Sequence, residues 1–434
     1  MRVLRVYHGG WSARHRERDR ALQRLGVDVT LVLPAAWRGQ PDPAGPDDPM
    51  LLLVEVGRPG DVNRHTPSAG TGRLRALLDR VSPDVVDLHE EPFSAAAHAW
   101  LRAIPPGMPV VAYTAQNVDK RFPPPFAQYE RSAYARLRGI YPCSSQAASV
   151  AWGKGFRGQV VVLPLGLDLQ VFRPGDQAHG DEVFTLALLG RLVPEKGVLD
   201  AVRVLRAAQS VRESRLVLVG EGPMLPRVLD EARALGVGDR VQVRGSLGTA
   251  DVADVLRSAH VLLAPSRATR TWVEQFGRMA TEAQACGAAV VGYASGALPE
   301  ATGGAARLVP EGDSSALEGA VRRLATSAEA WDDARRAGLE HAATLSWDAV
   351  ARRQVDLYEQ VVRMRGPVPP AQPDAASRAG ARARFGPPAL LGGVERPFAD
   401  PLLRRTGRLQ MPLGRVVDAA TGAWQAAQRR STSS

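Results

Sequence analysis

The sequence predicts an α/β protein built as two doubly wound parallel-sheet domains facing each other across a cleft, followed by a Pro/Arg/Ala-rich C-terminal extension. Three observations carry this. Short β-rich runs alternate with longer amphipathic stretches, the pattern of parallel strands covered on both faces by helices. The alternation halts at a Pro/Gly-punctuated connector, Pro164 to Gly175, and then begins afresh. A chain of 434 residues, 45% apolar and 23% charged, is long enough for two to three domains with large cores and is not a wholly disordered protein.

In order, Val3 to Tyr7 reads as a strand, Ser12 to Leu25 as a helix closed by Gly26, and Val27 to Leu33 as a second strand stopped by Pro34. Strands follow at Leu51 to Val56, Val85 to His89, Val110 to Thr114, Ile140 to Cys143 and Val160 to Leu163, with helices near 72–81 and 94–103. After the connector the strands are Phe184 to Leu189, Arg215 to Val219, Val241 to Arg244, Val261 to Ala264 and Ala289 to Gly292, with helices near 198–209, 224–235, 249–257 and 276–286. This divides the chain into a first domain at 1–165, a linker at 166–180, a second domain at 181–345, a helix at 346–365 that can cross back to the first domain, and a poorly ordered or loosely docked extension at 366–434. Ligands of such folds bind at the carboxyl ends of the sheets, hence between the domains.

The formal charge is +10, but +6 of it lies in residues 366–434, and all but three of the 55 basic residues are arginine. The body is only mildly basic, so no nucleic-acid partner is expected. The start of the chain lacks an apolar leader and no run of 18 apolar residues occurs, which makes the cytoplasm the expected address. Cys143 and Cys286 stand alone, as buried small side chains, and the eight histidines show no HxxxH or HxH spacing, so no metal site is expected. Arg14, Arg16, Arg18 and Arg20 crowd the first helix, which reads as a solvated face interleaved with Glu17 and Asp19 or as a patch for an anionic membrane.

Gly190-Arg191-Leu192-Val193-Pro194-Glu195-Lys196-Gly197 follows a strand and precedes a helix, projecting a guanidinium fork and an ammonium point charge toward the crevice. Alone, both also read as solvated loop cations. Glu274 and Glu282 lie eight positions apart across a helix start, about 12 Å along a helix, too far to act on one atom but spaced to grip two parts of one elongated ligand. They also read as a helix-dipole cap and a partner for a nearby arginine. Between them the backbone N–H groups of Gln275, Phe276 and Gly277 offer an anion site. Gly9-Gly10 after the first strand lets backbone approach a ligand, or is a plain turn. His89, Glu90 and Glu91 end a strand at the cleft, where they can hold acceptor hydroxyls, move a proton or cap a helix, and Gln116 and Asn117 can hydrogen-bond a sugar.

Together these residues resemble the family 4 retaining glycosyltransferases, whose second domain carries G-R-x-x-x-E-K-G and E-x7-E elements. The resemblance spans about residues 1–365. It implies the two-Rossmann architecture called GT-B, a nucleotide-diphosphate sugar (UDP- or GDP-linked) as donor substrate, a hydroxyl acceptor (glycan, lipid-linked sugar or small molecule), no cofactor or required metal, and retention of anomeric configuration. By that resemblance Arg191 and Lys196 stabilise the departing diphosphate, Glu274 holds the sugar hydroxyls and Glu282 the ribose. Gly190, Gln275, Phe276 and Gly277 sit by the donor, and Gly9 and Gly10 line the cleft opposite. Many relatives have T-x-H-D where this chain has Thr114-Ala115-Gln116-Asn117, so a histidine base is not expected there. The resemblance also allows peripheral contact with the inner face of a membrane. The rival readings are a sugar-nucleotide epimerase or glucan synthase on the same fold, and a non-catalytic module that holds an acidic polymer with the basic tail.

Overall fold

The computed structural model describes residues 1–37, 48–175, 179–269, 272–364, 366 and 375–385. Its first sheet holds β1 (Arg2–Val6), β2 (Asp28–Pro34), β3 (Leu51–Val54), and, beyond the small hairpin β4 (Val56–Gly57) and β5 (Thr66–Pro67), β6 (Val85–Leu88), β7 (Val110–Thr114), β8 (Gly139–Pro142) and β9 (Gln159–Val160). The seven strands run parallel in the order β3-β2-β1-β6-β7-β8-β9. Every residue of β6 and β8 is buried, because helices cover both faces. These helices are α1 (Glu17–Arg24), α2 (Thr71–Val81), α3 (Ala95–Ala103), α4 (Phe126–Arg136) and α5 (Ser145–Gly153).

The first helix is shorter than its periodicity suggests. Two 3-10 turns, His8–Trp11 and Ala13–His15, precede α1. Side chains satisfy the carbonyls there: Arg16 Nε donates to Gly10 O at 2.7 Å, and the His15 ring lies 2.9 Å from Gly9 O through Nδ1. The solvated cationic face is also corrected. Arg16 and Arg18 are 3% and 2% exposed, and the Arg18 guanidinium lies 5.5 Å from the Tyr141 ring centroid and 5.4 Å from that of Trp347. Aromatic partners from β8 and α13 draw Arg18 inward and backbone carbonyls hold Arg16, while Arg20 stays exposed beside Glu17.

The second sheet contains β10 (Phe184–Leu189), β11 (Ser214–Val219), β12 (Val241–Val243), β13 (Val261–Ala264), β14 (Ala289–Tyr293) and β15 (Arg307–Val309), parallel in the order β12-β11-β10-β13-β14-β15. It is wrapped by α6 (Val198–Gln209), α7 (Leu225–Ala234), α8 (Thr249–Ser258), α9 (Arg278–Ala285), α10 (Leu298–Ala301), α11 (Ser314–Thr326) and α12 (Ala328–Ala343). Trp331 of α12 is buried under this sheet and donates its indole N–H to His260 O at 2.9 Å.

The chain crosses between domains twice, side by side. Leu167 N–H donates to Leu345 O at 2.8 Å, and Trp347 N–H returns to Leu167 O at 3.3 Å. Then α13 (Trp347–Arg363) packs on the first domain, where Gln354 and Tyr358 donate to the buried Asp87 carboxylate at 2.9 and 2.6 Å. Part of the extension is helical: α14 (Ala375–Phe385) lies on α5, with the Arg384 guanidinium 4.7 Å over Trp152 and the Phe385 ring 5.6 Å from it. Residues 386–434 lie outside the described residues. No helix among the described residues is long and apolar enough to cross a membrane.

Candidate active site

Each sheet has one point where the strand order reverses, between β1 and β6 in the first and between β10 and β13 in the second. Loops leaving the strands diverge there and open a crevice, so the carboxyl ends of these four strands are where a ligand is expected. The residues just past them are Tyr7 to Gly10, His89 to Glu91, Gly190 to Gly197, and Pro265 to Ser266.

Past β10, the turn carrying the two cations is held from three sides. Leu192 N–H donates to Glu221 O at 2.8 Å, Met224 N–H to Leu192 O at 3.0 Å, and Arg267 N–H to Glu195 O at 2.8 Å. Arg267 is itself anchored to Asp200 at 2.6 Å. Gly197 closes the turn at φ +63°, where a Cβ would stand 2.1 Å from Pro265 O, so backbone from the two central strands touches at this point. Lys196 Nζ consequently points to Glu274, donating to Oε2 at 2.6 Å, and lies 4.9 Å from the Trp272 ring centroid. Ser266 Oγ donates to the same oxygen at 3.2 Å. Both charged side chains are nearly buried, 12% and 10% exposed, which strengthens their attraction. Gly190 lies beside them: its open Cα side faces Lys196 Cε and Met279 Sδ.

Arg191 does not join this pair. Its side chain is 68% exposed, with Glu195 at 3.8 Å as its ion-pair partner. Glu282 sits half-buried on α9. That helix begins at Arg278, with Gly277 as N-cap at φ +90°. Glu274, Gln275 and Phe276 are therefore loop residues, and the helical rise does not set the separation of the two glutamates. Ala280 N–H already donates to Gly277 O, so the outward donors of the first turn come later than the sequence suggests, from Gly277 to Met279.

The Glu274–Phe276 loop is clamped by the first domain. Asn117 Nδ2 donates to Glu274 O at 2.9 Å and Gln275 Nε2 donates to Ala115 O at 3.0 Å. Asn117, only 3% exposed, is thus a strut between domains rather than an open sugar contact. Gln116 is 8% exposed and accepts from Lys154 Nζ at 2.6 Å, which also bonds Glu130 at 2.9 Å.

On the first-domain side the expected acceptor groups are engaged with protein. His89 is packed between Tyr7 and Tyr113, 4.2 Å from each ring, with Nδ1 2.9 Å from Arg5 Nη2. Burial and then the Arg5 charge hold its pKa well below the usual histidine value, so the ring is neutral and Nδ1 accepts from Arg5. It belongs to a buried network in which Arg5 bonds Asp87 at 3.0 Å and Asp19 at 2.5 Å, and Tyr141 donates to Asp87. Nδ1 of His89 is thereby engaged with protein rather than open to the crevice. Glu90 accepts from His8 N–H at 2.8 Å and from His8 Nδ1 at 2.7 Å. Glu91 accepts from Thr114 Oγ1 and Ala115 N–H, both at 2.8 Å, while burial pushes its carboxyl up to about 7. Gly9 and Gly10 have an internal reason to lack side chains: a Cβ would fall 2.5 Å from the Tyr7 ring at Gly9 and 2.8 Å from Leu33 at Gly10. Cys143 and Cys286 are buried, each thiol pushed up to about 12 by burial.

The structure thus joins Lys196, Glu274 and Gly190, and ties Asn117 and Gln275 to them, while Arg191 stands apart on the surface. Sequence reasoning missed Ser266 and Trp272, which meet Lys196 and Glu274 from the β13 loop, and His8 and His65, which meet Glu90. No local spacing marks either set, because the strand order of the sheets and the β4–β5 hairpin bring these loops together.

Residues 9–171 match the family described as Glycosyltransferase Family 4, and residues 183–327 match that described as Glycosyl transferases group 1. The chain is 28% identical over 403 residues to a D-inositol 3-phosphate glycosyltransferase of Stackebrandtia nassauensis, covering 84% of this chain and 90% of that one. In fold it is similar to the sucrose-phosphate synthase of Thermosynechococcus elongatus (TM-score 0.63, 18% identity, 83% of this chain and 99% of that one). It is likewise similar to Anabaena HepE solved with UDP and glucose (TM-score 0.60, 16% identity, 83% and 100%). The chain therefore belongs to the glycosyltransferases of GT-B-like fold, with a family 4 domain in its first half and a group 1 domain in its second.

Proposed function

We propose that this glycosyltransferase moves a sugar from a nucleotide-diphosphate donor, UDP- or GDP-linked, to a hydroxyl acceptor with retention of anomeric configuration. The observation that carries the reading is the nearly buried Lys196–Glu274 pair beside Gly190, at the point where the second sheet reverses its strand order. Breaking the sugar–phosphate bond builds negative charge on the β-phosphate. An ammonium held in place before the reaction stabilises that charge without reorganising, an effect worth about 3–4 kcal/mol for one donor group. On donor binding Lys196 turns to the diphosphate and Glu274 to the sugar hydroxyls, with the first-turn N–H groups of α9 supplying further donors. Arg191, exposed at the rim, closes on the phosphates from solvent, and Glu282 meets the ribose.

These groups neutralise the leaving group without a divalent metal at the diphosphate. His89 Nδ1 already accepts from Arg5 and Gln116 cannot take up a proton, so the departing phosphate takes the acceptor proton on the same face of the sugar. The test is a screen of UDP- and GDP-sugars for thermal stabilisation, where a ligand at 100 times its dissociation constant adds about 2.7 kcal/mol. Transfer to acceptors including D-inositol 3-phosphate follows, with the product anomer read by NMR. Stabilisation by one nucleotide class and a product of unchanged configuration are expected; no response to any nucleotide, or an inverted product, overturns the reading.

A further inference from the structure

His8, His65 and Glu90 stand far apart in sequence and meet in space: one ligand-capable atom from each lies within 4.8 Å of the others. His8 follows β1 and Glu90 lies just past β6, so two of the three stand where the first sheet reverses its strand order. His65 comes from the loop that joins β4 to β5.

The geometry is that of a cation site. Glu90 lies 2.7 Å from His8 Nδ1 and 3.8 Å from His65 Nε2. Metal–ligand bonds of about 2.0–2.2 Å in a tetrahedral site separate neighbouring ligand atoms by about 3.3 Å, which these two distances bracket. His65 Nδ1 donates to Asp61 O at 3.1 Å, an arrangement that leaves the Nε2 lone pair for a ligand and fixes the ring. The Trp37 ring covers the pair, 5.2 Å from His8 and 5.1 Å from His65. The Glu90 side chain is 1% exposed, and among the described residues its charge partners are the two histidines, with no lysine or arginine. A buried carboxylate needs a cation or a strong donor set to offset its lost hydration. Beside the three groups is a cavity of about 20 Å³, the size of one water.

We propose that His8 Nδ1, His65 Nε2 and a carboxylate oxygen of Glu90 bind one zinc-class divalent cation, with a water in the fourth position; the ion displaces the proton that His8 Nδ1 otherwise donates to Glu90, and that proton leaves to solvent or to His8 Nε2. The two nitrogens and one carboxylate select a borderline ion such as Zn²⁺ over Mg²⁺ or Ca²⁺, which take oxygen ligands. Bound there, the ion pins the Arg58–His65 loop onto the carboxyl ends of β1 and β6, beside the crevice. The site is separate from the groups assigned to the donor.

The test is zinc content after the full chain is stripped with chelator, equilibrated with zinc and dialysed, combined with the visible spectrum of the cobalt-loaded protein. Wild type is expected to hold about one zinc per chain and to give the intense spectrum of four-coordinate cobalt. His98→Ala, which removes a histidine outside the cluster, is expected to keep both. His65→Ala removes a loop side chain and should fold by circular dichroism; it is expected to lose stoichiometric zinc and the cobalt spectrum, as is Glu90→Gln. Wild type without stoichiometric zinc, or His65→Ala that retains it, overturns the proposal and leaves the cluster a histidine–glutamate ion pair.

Discussion

Asn117 of the first domain donates its side-chain N–H to the main-chain oxygen of Glu274 in the second, at 2.9 Å. The bond runs from the loop after β7 to the residue that pairs with Lys196, so the closeness of the two domains and the placing of the Glu274 carboxylate are one geometric fact. Gln275 doubles the link through Ala115 O. An acidic residue at position 117 would set an oxygen against the Glu274 carbonyl, where this chain offers a donor.

Asn117→Ala removes that donor and leaves a buried carbonyl without it, a loss of about 1–2 kcal/mol. Steady-state kinetics are expected to show kcat/KM for the donor down about tenfold, with most of the change in KM because the loop that carries Glu274 is freed. Asn117→Asp should be worse than Ala, since it sets a negative oxygen against the carbonyl. Unchanged donor kinetics in both variants would make the bond incidental.

Asp87 gathers Arg5, Tyr141, Gln354 and Tyr358 on one buried carboxylate, and the last two belong to α13. Removing one partner of a buried charged network costs about 3–5 kcal/mol, because the partners stay buried and unpaired. Asp87→Ala is expected to lose that much in urea unfolding. The exposed Arg24–Asp348 pair also ties α13 to the first domain, at 2.6 Å. Asp348→Ala is expected to cost at most about 1 kcal/mol. Equal losses in the two variants would contradict the assignment of Asp87 as the anchor of the returning helix.

Glu91 sets a pH dependence of stability. Its carboxyl sits near 7 in the folded chain, raised by burial, against an ordinary value of 4.5. The folded state therefore holds the proton more tightly. The stabilisation is full below the ordinary value and is lost as pH rises through about 7. Glu91→Gln can still accept from Ala115 N–H and turns its amide N–H toward Thr114 Oγ1, but cannot ionise. Relative to wild type it is expected to gain up to about 3 kcal/mol between pH 5 and pH 8, measured by denaturant unfolding at both. A constant difference across that range would show that Glu91 ionises normally.

Much of this was legible from periodicity. Apolar runs such as Phe184 to Leu189 are strands buried on both faces, and Gly26, at φ +79°, ends the first helix as its position suggests. Lys196 and Glu274 were each readable from a motif, G-R-x-x-x-E-K-G and E-x7-E, although their meeting depends on Arg267 holding Glu195 and on Gly197 touching Pro265. What local pattern could not show follows from strand order. His65 reaches Glu90 because β4 and β5 fold back over the sheet, and Arg18 leaves solvent because Trp347 arrives from the second crossing. The conversion of Asn117 from a sugar contact to a strut is likewise a tertiary effect, set by how closely two domains approach.

Lys196 is the group proposed to meet the charge of the departing diphosphate. The most direct measurement is release of free nucleotide from the preferred donor sugar, with and without acceptor, by wild type and Lys196→Ala. A fall in kcat of about 10²–10³ with donor KM changed far less is the expected result for a group that acts in the transition state. Equal turnover by the two proteins would contradict it.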